Sequence, residues 1–154
     1  MKSHFSHQLV EDDKLVFLIT ETRIDLNKVL NDISDTSAGA VALFVGNVRD
    51  HNSQGKVSAI YYEVYKEMAE NIMALIEKEM VDKWDLKKFI VIHRIGTFGA
   101  GETGIVVAVS SEHREEAFAA CKYGIDNIKS RVPIWKKEFT PTGEIWVEGI
   151  SLQG

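Results

Sequence analysis

KFIVIHRIGTFGAGETGIVVAVS, residues 88–110, is the stretch that decides the fold class of this 154-residue chain. Its two apolar, β-branched runs, 88–95 and 104–110, predict strands. The glycine-rich GTFGAGET between them predicts a hairpin connection. A phosphate-binding loop is the alternative. However, the segment lacks a Gly-Lys-Ser/Thr ending and leads into a strand, so no helix N-terminus would meet the phosphate.

The rest of the chain repeats this order, in which a pair of strands is followed by a helix. The predicted strands are 14–22, 39–48, 56–65 and 144–150, and the predicted helices are 25–34, 66–84 and 111–130. We expect the apolar 39–48 to be a buried strand, and the polar RDHNSQG after it to close a hairpin with 56–65. The pattern predicts one α+β domain over 1–154, built on a mainly antiparallel sheet with flanking helices, after a flexible leader at 1–13.

The composition excludes several classes of protein. Eighteen Lys and Arg against 23 Asp and Glu give a net charge of −5, which argues against a general binder of nucleic acid or anionic membrane. No apolar run approaches the roughly 20 residues that span a bilayer, and the N-terminus lacks the apolar core of a signal peptide. The single cysteine, Cys121, cannot form an intrachain disulfide, so we expect a cytoplasmic protein.

The histidines give no sign of a metal site. His4 and His7 are close in sequence but have no third ligand nearby. His51 and His93 have no partner that spacing reveals, and we interpret each as structural or solvated rather than catalytic. We therefore expect neither a metal nor a cofactor.

The segment SSEHREEAF (110–118) begins the last predicted helix, with Ser110 or Ser111 as its N-cap. The expected apolar face of this helix consists of Ala117, Phe118, Cys121, Ile125 and Ile128. On that face a buried, inert thiol is favoured over a sulfur carrier or nucleophile. His113 and Arg114 occupy the first turn, where the helix dipole disfavours cations, and beside free backbone N–H groups they indicate an anion site. A surface pair neutralised by the neighbouring glutamates is an equally consistent interpretation.

The segment KSRVPIWKKE (129–138) gathers four cations around a proline and a tryptophan: Lys129, Arg131, Lys136 and Lys137. Pro133 ends the helix, because the residue before a proline avoids the α region. Cations held on a rigid, partly apolar wall can bind anions, and lysines crowded by other cations can act as nucleophiles or general acids. A solvated basic patch is the alternative that these residues leave open.

Three motifs together resemble one known family. FVGNVRDHN, HRIGTFGAGETGIVVAVSSEHREEAF and KSRVPIWKKE followed by Trp146, in order from about residue 39 to residue 148, are similar to the large, catalytic subunit of molybdopterin synthase. The resemblance implies an α/β hammerhead fold and a homodimer, with a small ubiquitin-like sulfur-carrier subunit docked at each end. It also implies conversion of cyclic pyranopterin monophosphate (precursor Z) into the dithiolene of molybdopterin. The sulfur would come from a thiocarboxylate on the carrier's C-terminal Gly-Gly.

The resemblance further implies the site residues. The family's two essential lysines correspond to Lys129 and Lys136, and the substrate-binding positions are Asn47, Val48, Arg49, His113, Arg114, Lys137 and Glu138. Position 47 is not fixed in the family's pattern, so its side chain carries little weight. We expect Lys129 to act at the thiocarboxylate and the substrate carbon, with electrostatic support from Lys136. The phosphate would be held by Arg49, His113 and Arg114, since arginine suits bidentate phosphate recognition.

The spacing within this set adds a constraint. If 113–129 is one continuous helix, its ends lie roughly 24 Å apart at 1.5 Å per residue, too far for one pterin to touch both. The simplest solution is a pocket at a dimer interface, with His113 and Arg114 from one subunit and both lysines from the other. A non-catalytic adaptor that docks a ubiquitin-like tail is the alternative function, and it would not require Arg49, His113 or Arg114.

Overall fold

The computed structural model describes residues 5–6 and 14–147. The strands are β1 (Phe5–Ser6), β2 (Leu15–Thr20), β3 (Ala40–Asn47), β4 (His51–Asn52), β5 (Gly55–Lys56), β6 (Ala59–Val64), β7 (Leu86–Arg94), β8 (Gly96–Gly99), β9 (Thr103–Ser111), β10 (Ile134–Thr140) and β11 (Gly143–Val147). The helices are α1 (Leu26–Ile33), α2 (Lys66–Lys83) and α3 (Arg114–Arg131). His4, His7 and the end of the predicted last strand, 148–150, lie outside the described residues. Of the predicted leader, only Phe5–Ser6 lie within them.

The larger sheet holds the main core. Among the described residues it has five strands in the order β1-β2-β7-β9-β3, antiparallel except between β2 and β7. The predicted pairing of 88–95 with 104–110 is confirmed, since β7 and β9 are antiparallel neighbours with Val91 opposite Val107. Helices α2 and α3 pack against one face of the sheet, and α1 packs against the other. Helices flanking a mainly antiparallel sheet confirm the α+β class.

The helices have the apolar spacing that such packing requires. In α2 the buried residues recur every three or four positions, which is the period of an amphipathic helix: Ala69, Met73, Ile76 and Met80. Asp25 is the N-cap of α1, and its carboxylate accepts a hydrogen bond from the Lys28 N–H at 3.2 Å. Among the described residues, none of the helices combines the length and apolarity needed to cross a bilayer.

The smaller sheet has four antiparallel strands in the order β11-β10-β6-β8 within the described residues. Strand β8 belongs to the glycine-rich segment, so the connection from β7 to β9 enters this second sheet before it returns. Gly96 and Gly101 have φ angles of 86° and 84°, in the left-handed region that favours glycine. These glycines therefore shape a connection between strands, as predicted.

The predicted hairpin between 39–48 and 56–65 is wrong. Strand β3 pairs with β9, whereas β6 pairs with β8 and β10 in the other sheet. The segment between them folds into a small hairpin of its own, β4 with β5, which lets β6 turn away from β3. No strand is predicted for β10, because Pro133 and the surrounding lysines mask the alternating pattern of a strand.

Three expectations about burial and capping are also wrong. Strand β3 lies at a sheet edge rather than being fully buried, and Val41 and Leu43 are 43% and 36% exposed. Phe118 is 69% exposed, because it projects from the helix away from the sheet. The N-cap of α3 is His113, which makes no side-chain cap, and the Ser111 hydroxyl instead donates to the His113 carbonyl at 2.6 Å.

Cys121 is buried on the sheet-facing side of α3, as expected. Its Sγ lies 3.7 Å from the Val107 carbonyl, to which the thiol donates. Burial raises the pKa of the Cys121 thiol, so the reactive thiolate is disfavoured. This residue has the properties of an inert core thiol.

Candidate active site

A small cleft of 140 Å³ opens where the end of α3, strand β10 and the segment after β3 meet. Its lining residues come from widely separated parts of the sequence: Asn47, Val48, Arg49, His51, Val57, Ile60, Tyr62, Lys129, Lys136 and Glu138. The cleft therefore brings together both predicted catalytic lysines and four of the seven predicted substrate-binding residues.

The turn at Pro133 lets both lysines reach one cleft. Helix α3 ends with the Val132 N–H donating to the Ile128 carbonyl at 3.1 Å, and the proline after it cannot continue the helix. The chain then enters β10, which brings Lys136 back to the cleft beside Lys129, in the last turn of α3. The Lys129 side chain forms no hydrogen bond or ion pair with any described residue, so its ammonium group is available to a ligand.

Glu138 is the buried acid of the cleft. Its Oε1 lies 3.2 Å from the Lys136 Nζ, and its Oε2 accepts a hydrogen bond from the Asn52 amide at 2.7 Å. A carboxylate that is only 6% exposed needs such partners, because an unpaired buried charge is costly. Glu138 therefore holds Lys136 in place and ties β10 to β4.

The segment that carries Arg49 is held by backbone hydrogen bonds. The Val48 N–H donates to the Glu102 carbonyl at 2.9 Å, and the Gly101 N–H donates to the Val48 carbonyl at 2.7 Å. Asn47 Oδ1 accepts a hydrogen bond from a threonine hydroxyl on β9 at 2.8 Å. Asn47 and Val48 thus position the segment. Arg49 is exposed and makes no hydrogen bond or ion pair with the described residues, so its guanidinium can bind an anion.

Behind the lysines lies an aromatic pair that the sequence does not predict. Tyr62 lines the cleft, and its ring packs edge-on against the buried His93 imidazole, with 5.0 Å between the ring centroids. Burial raises the pKa of Tyr62, and the charge of Glu138 adds to the shift. Burial also lowers the pKa of His93 to about 4, although its hydrogen bond with Arg94 opposes the shift, and the charge of Lys129 lowers it further.

His93 is therefore neutral at pH 7. Its Nδ1 donates to the Arg94 carbonyl at 2.8 Å, which fixes the tautomer. Because the His93 ring is neutral, it does not add a second positive charge next to the Lys129 ammonium group.

Lys137 does not line the cleft. Successive residues of a strand point to opposite faces, so Lys137 lies on the far side of β10 from Lys136. Its Nζ lies 3.2 Å from Glu144 Oε2 and 4.8 Å from the centroid of the Trp146 ring.

His113 and Arg114 are also absent from the cleft, because they lie at the opposite end of α3. Arg114 is 15 residues from Lys129, or about 22 Å along the helix. Both side chains are exposed. His113 Nε2 lies 3.5 Å from Glu112 Oε1, whereas no ion pair or hydrogen bond to Arg114 occurs among the described residues. Neutralisation by glutamate therefore applies to His113 alone.

Four lining residues were not predicted for the site: the apolar Val57 and Ile60, and the polar His51 and Tyr62. His51 Nδ1 donates to Asp50 Oδ1 at 2.7 Å and lies two positions after Arg49 in the same segment, a proximity that could have indicated it. Tyr62 carries no comparable signal, because its orientation depends on the pairing of β6 with β10.

The charge of the cleft favours an anionic ligand. It has three cations, Arg49, Lys129 and Lys136, against the single carboxylate of Glu138, although the whole chain carries a charge of −5. Such a site can bind a carboxylate-like or phosphate group and can stabilise negative charge that develops during a reaction. Among the described residues, no cluster of three His, Cys, Asp or Glu side chains could hold a metal ion.

A larger cavity of 1010 Å³ lies between α1 and strands β2 and β7. Its floor is apolar and includes Val16, Leu18, Ile90 and Ile92. It contains none of the predicted site residues, and its size alone does not indicate a reaction.

Comparison with known proteins assigns the chain to a family. The family model described as "MoaE protein" matches residues 19–131. The chain belongs to the MoaE family. The molybdopterin synthase catalytic subunit of Pyrococcus abyssi is 44% identical over 117 residues, which cover 76% of this chain and 79% of that protein. The family resemblance expected from the three motifs is thereby confirmed.

Solved structures share the fold of this MoaE-family chain. The crystal structure of molybdopterin synthase from Staphylococcus aureus matches with a TM-score of 0.79 and 35% identity, covering 84% of this chain and 95% of that one. A protein from Helicobacter pylori was solved as a complex of subunits 1 and 2 of molybdopterin-converting factor. It matches with a TM-score of 0.76, covering 90% of this chain and 95% of that one. At 18% identity, the second match concerns the fold alone.

Proposed function

We propose that this MoaE-family chain is the catalytic subunit of a molybdopterin synthase. It transfers sulfur from the C-terminal thiocarboxylate of a small carrier subunit to precursor Z. The observation that carries the proposal is the meeting of Lys129, Lys136 and Arg49 in one cleft, although they lie in separate sequence motifs. The names of the Pyrococcus abyssi and Staphylococcus aureus relatives support the choice of reaction.

The chemistry of the cleft suits this transfer. Each transfer forms a C–S bond to the pterin side chain in place of a C–O bond, whose oxygen leaves protonated. Water then cleaves the acyl C–S bond of the thiocarboxylate, so that the sulfur stays on the pterin and the carrier tail is released as a carboxylate. A dithiolene contains two sulfur atoms, so two carrier tails are consumed for each product. Lys129 acts at the reacting carbon as nucleophile or proton donor. Lys136, paired with Glu138, stabilises the negative charge of the thiocarboxylate and of the transition state.

The phosphate of precursor Z requires further cations. Arg49 supplies one from the same chain, and His113 and Arg114 supply the others from a second copy. The distance of about 22 Å along α3 supports this division, since one pterin cannot contact both ends of the helix. We therefore propose a homodimer with a shared pocket. Four predicted substrate-binding positions remain. Asn47 and Val48 position the segment that carries Arg49, Glu138 acts through Lys136, and Lys137 lies on the outer face of β10.

The carrier subunit is the proposed protein partner. The Helicobacter pylori protein with this fold was solved together with a second subunit, which supports docking of a small subunit here. The sequence-based expectation of a cytoplasmic reaction, which rests on the lone Cys121 thiol, is retained as part of the proposal.

Reconstitution tests the activity directly. The purified chain is incubated with precursor Z and with a carrier that ends in either a thiocarboxylate or an ordinary carboxylate, and molybdopterin is measured. We expect product only with the thiocarboxylated carrier. Absence of product, while a known synthase forms it from the same components, would refute the proposal.

A binding measurement separates the enzyme from the adaptor alternative. Titration of a phosphorylated pterin into the isolated chain should release heat in calorimetry, and the Arg49→Ala variant should bind more weakly. An adaptor for a ubiquitin-like tail would bind the carrier but not the pterin.

A further inference from the structure

The turn at 99–102, between β8 and β9, is closed by the side chain of its own last residue. Glu102 Oε2 accepts a hydrogen bond from the Gly99 N–H at 2.6 Å, and the Glu102 N–H donates to the Gly99 carbonyl at 3.2 Å. Glu102 Oε1 accepts a further hydrogen bond from Arg94 Nη1 at 3.0 Å. Both oxygens of the carboxylate therefore have a donor, one inside the turn and one on β7.

Arg94, the last residue of β7, is itself held from several sides. Its side chain is only 13% exposed, and its Nε donates to the Glu21 carbonyl at 3.4 Å. Its guanidinium carbon lies 4.5 Å from the centroid of the Phe98 ring, a distance at which a cation is attracted to an aromatic face. Neither Arg94 nor Glu102 lines the cleft, so neither is placed to touch a ligand there.

The closed turn holds Val48 through main-chain atoms. The Glu102 carbonyl accepts from the Val48 N–H, and the Gly101 N–H donates to the Val48 carbonyl. The buried Val48 side chain also packs in a small core with Phe98. Arg49 comes next along the chain and makes no hydrogen bond or ion pair with the described residues. Its direction is therefore fixed through Val48 and not by contacts of its own guanidinium.

We propose that Glu102 and Arg94 are positioning residues for Arg49. Their ion pair keeps the turn at 99–102 closed, the closed turn fixes the main chain of Val48, and Val48 directs Arg49 into the cleft. The fixing of Val48 does not depend on what the protein does. The effect on substrate rests on the proposed function, in which Arg49 holds the phosphate of precursor Z.

Position 102 requires a carboxylate, because two donors converge on its side chain. An ionised carboxylate only accepts hydrogen bonds, whereas glutamine has one accepting oxygen and one donating amide. In Glu102→Gln the amide group would face the Gly99 N–H or the Arg94 guanidinium, donor against donor. The hydrogen bonds from Gly99 and Arg94 hold the pKa of Glu102 below its ordinary value, so the carboxylate is ionised at neutral pH.

Amide hydrogen exchange, followed by NMR, tests the fixing of Val48. We compare the wild type with Glu102→Gln and with a matched control, Glu79→Gln. Glu79 also receives two donors, Arg131 Nη1 at 2.6 Å and the Tyr123 hydroxyl at 2.9 Å, but it lies on α2 and does not line the cleft. Exchange of the Val48 amide should become roughly tenfold faster in Glu102→Gln, because the turn opens more often, and should not change in Glu79→Gln.

Unchanged exchange of the Val48 amide in Glu102→Gln would overturn the inference, whether or not the chain forms molybdopterin. Circular dichroism checks that each variant is folded. If Glu102→Gln does not fold, Arg94→Met takes its place, since methionine keeps an apolar contact with Phe98 but removes the charge that pairs with Glu102. Exchange at Val48 should again become faster, and unchanged exchange would again overturn the inference.

Steady-state kinetics tests the effect on the substrate. In Glu102→Gln the KM for precursor Z should rise roughly fivefold while kcat stays within about twofold, because the phosphate contact binds the substrate away from the reacting carbon. Glu102→Asp keeps both accepting oxygens on a shorter side chain and should recover part of the loss. Glu79→Gln should have the wild-type KM. An unchanged KM in Glu102→Gln, despite faster exchange at Val48, would overturn the role in substrate binding.

A double mutant tests whether Glu102 acts through Arg49. In the Arg49→Ala background, Glu102→Gln should cause no further rise in KM, because no guanidinium is left to position. A second rise of about fivefold would mean that Glu102 acts on another part of the site, and would overturn the inference. Faster exchange at Val48 in Glu102→Gln, together with a wild type that forms no molybdopterin, would show that the turn fixes Val48 and that the proposed function is wrong.

Discussion

The two ends of α3 carry the same kind of side chain in opposite surroundings. At the C-terminal end, Lys129 faces a formed cleft with Lys136 and the buried Glu138, backed by the ring of Tyr62. At the N-terminal end, Arg114 is exposed and makes no ion pair or hydrogen bond within the described part of the chain. One end therefore lies in a cleft that is formed within the chain, whereas the other end is open to solvent, and under the proposed function a second copy would complete it.

Loss of Lys129 should have the largest effect. Lys129→Ala should lower the rate of molybdopterin formation by about 1000-fold or more, because it removes the group that acts at the reacting carbon. The melting temperature should hardly change, since the side chain is exposed and unpaired. Lys122→Ala, on the same helix, is the matched control and should be active. Activity of Lys129→Ala within tenfold of the wild type would contradict a reactive role for this end of the helix.

Acidification should destabilise the chain through His93. Its pKa is about 4 when folded, against 6.5 as the ordinary value, so the unfolded state takes up the proton first as the pH falls. The free energy of unfolding should therefore fall between pH 6.5 and pH 4, by about 3 kcal/mol in total.

Urea unfolding at several pH values between 6.5 and 4 measures this decrease in the free energy of unfolding. The His93→Gln variant should lose this component of the pH dependence. If the free energy of unfolding of His93→Gln falls with pH as steeply as that of the wild type, other groups cause the loss of stability. His93 would then not be a neutral imidazole in the folded chain.

Loss of Arg114 should have a smaller and more selective effect. Arg114→Ala should lower kcat/KM for precursor Z by roughly 10- to 100-fold, because a charge-assisted contact to phosphate is lost. Affinity for the carrier, measured by calorimetry, should not change. Arg114→Lys, which keeps the charge, should recover part of the activity. If Arg114→Ala has wild-type kinetics, the exposed end of α3 takes no part in the site.

The Glu138→Gln variant should have the smallest effect. Glutamine keeps an acceptor for Asn52 but removes the charge that pairs with Lys136. Since Lys136 is partly exposed, the free energy of unfolding should fall by only about 1 kcal/mol. The rate should fall several-fold as Lys136 loses its fixed position. Unchanged stability together with an unchanged rate would show that Lys136 needs no support from Glu138.

The local elements were predictable from the sequence, whereas their partners were not. The glycine-rich connection and α2 follow from apolar periodicity and turn chemistry, which act over a few residues. The pairing of β3 with β9, rather than with β6, depends on contacts between distant segments. Strand β10 escaped prediction because its lysines conceal the alternation, and the exposure of Phe118 reflects a helix flank that no other element covers.

The same distinction applies to the candidate site. Charge clustering identified the cations around Lys129 and at Arg114 but left a solvated patch equally possible, and the family resemblance favoured a site. The structure adds what no local pattern contains: the convergence of Arg49 with the lysines, the bridge through Glu138, and the neutral pair of Tyr62 and His93. Lys137 was expected to bind substrate, but strand alternation places its side chain on the face of β10 opposite to Lys136.

The attachment of the Arg49 segment has a consequence for evolution. Two hydrogen bonds between main-chain atoms connect Val48 to the glycine-rich connection, and main-chain atoms are common to every residue type except proline at the donor. Changes of the exposed side chains at positions 50, 53 and 54 should therefore leave the arginine in place. Asn52, which binds Glu138, and Gly55, whose φ angle is 139°, should be harder to replace. Gly101, which donates the hydrogen bond to the Val48 carbonyl, is also hard to replace, because its positive φ angle disfavours residues that have a side chain.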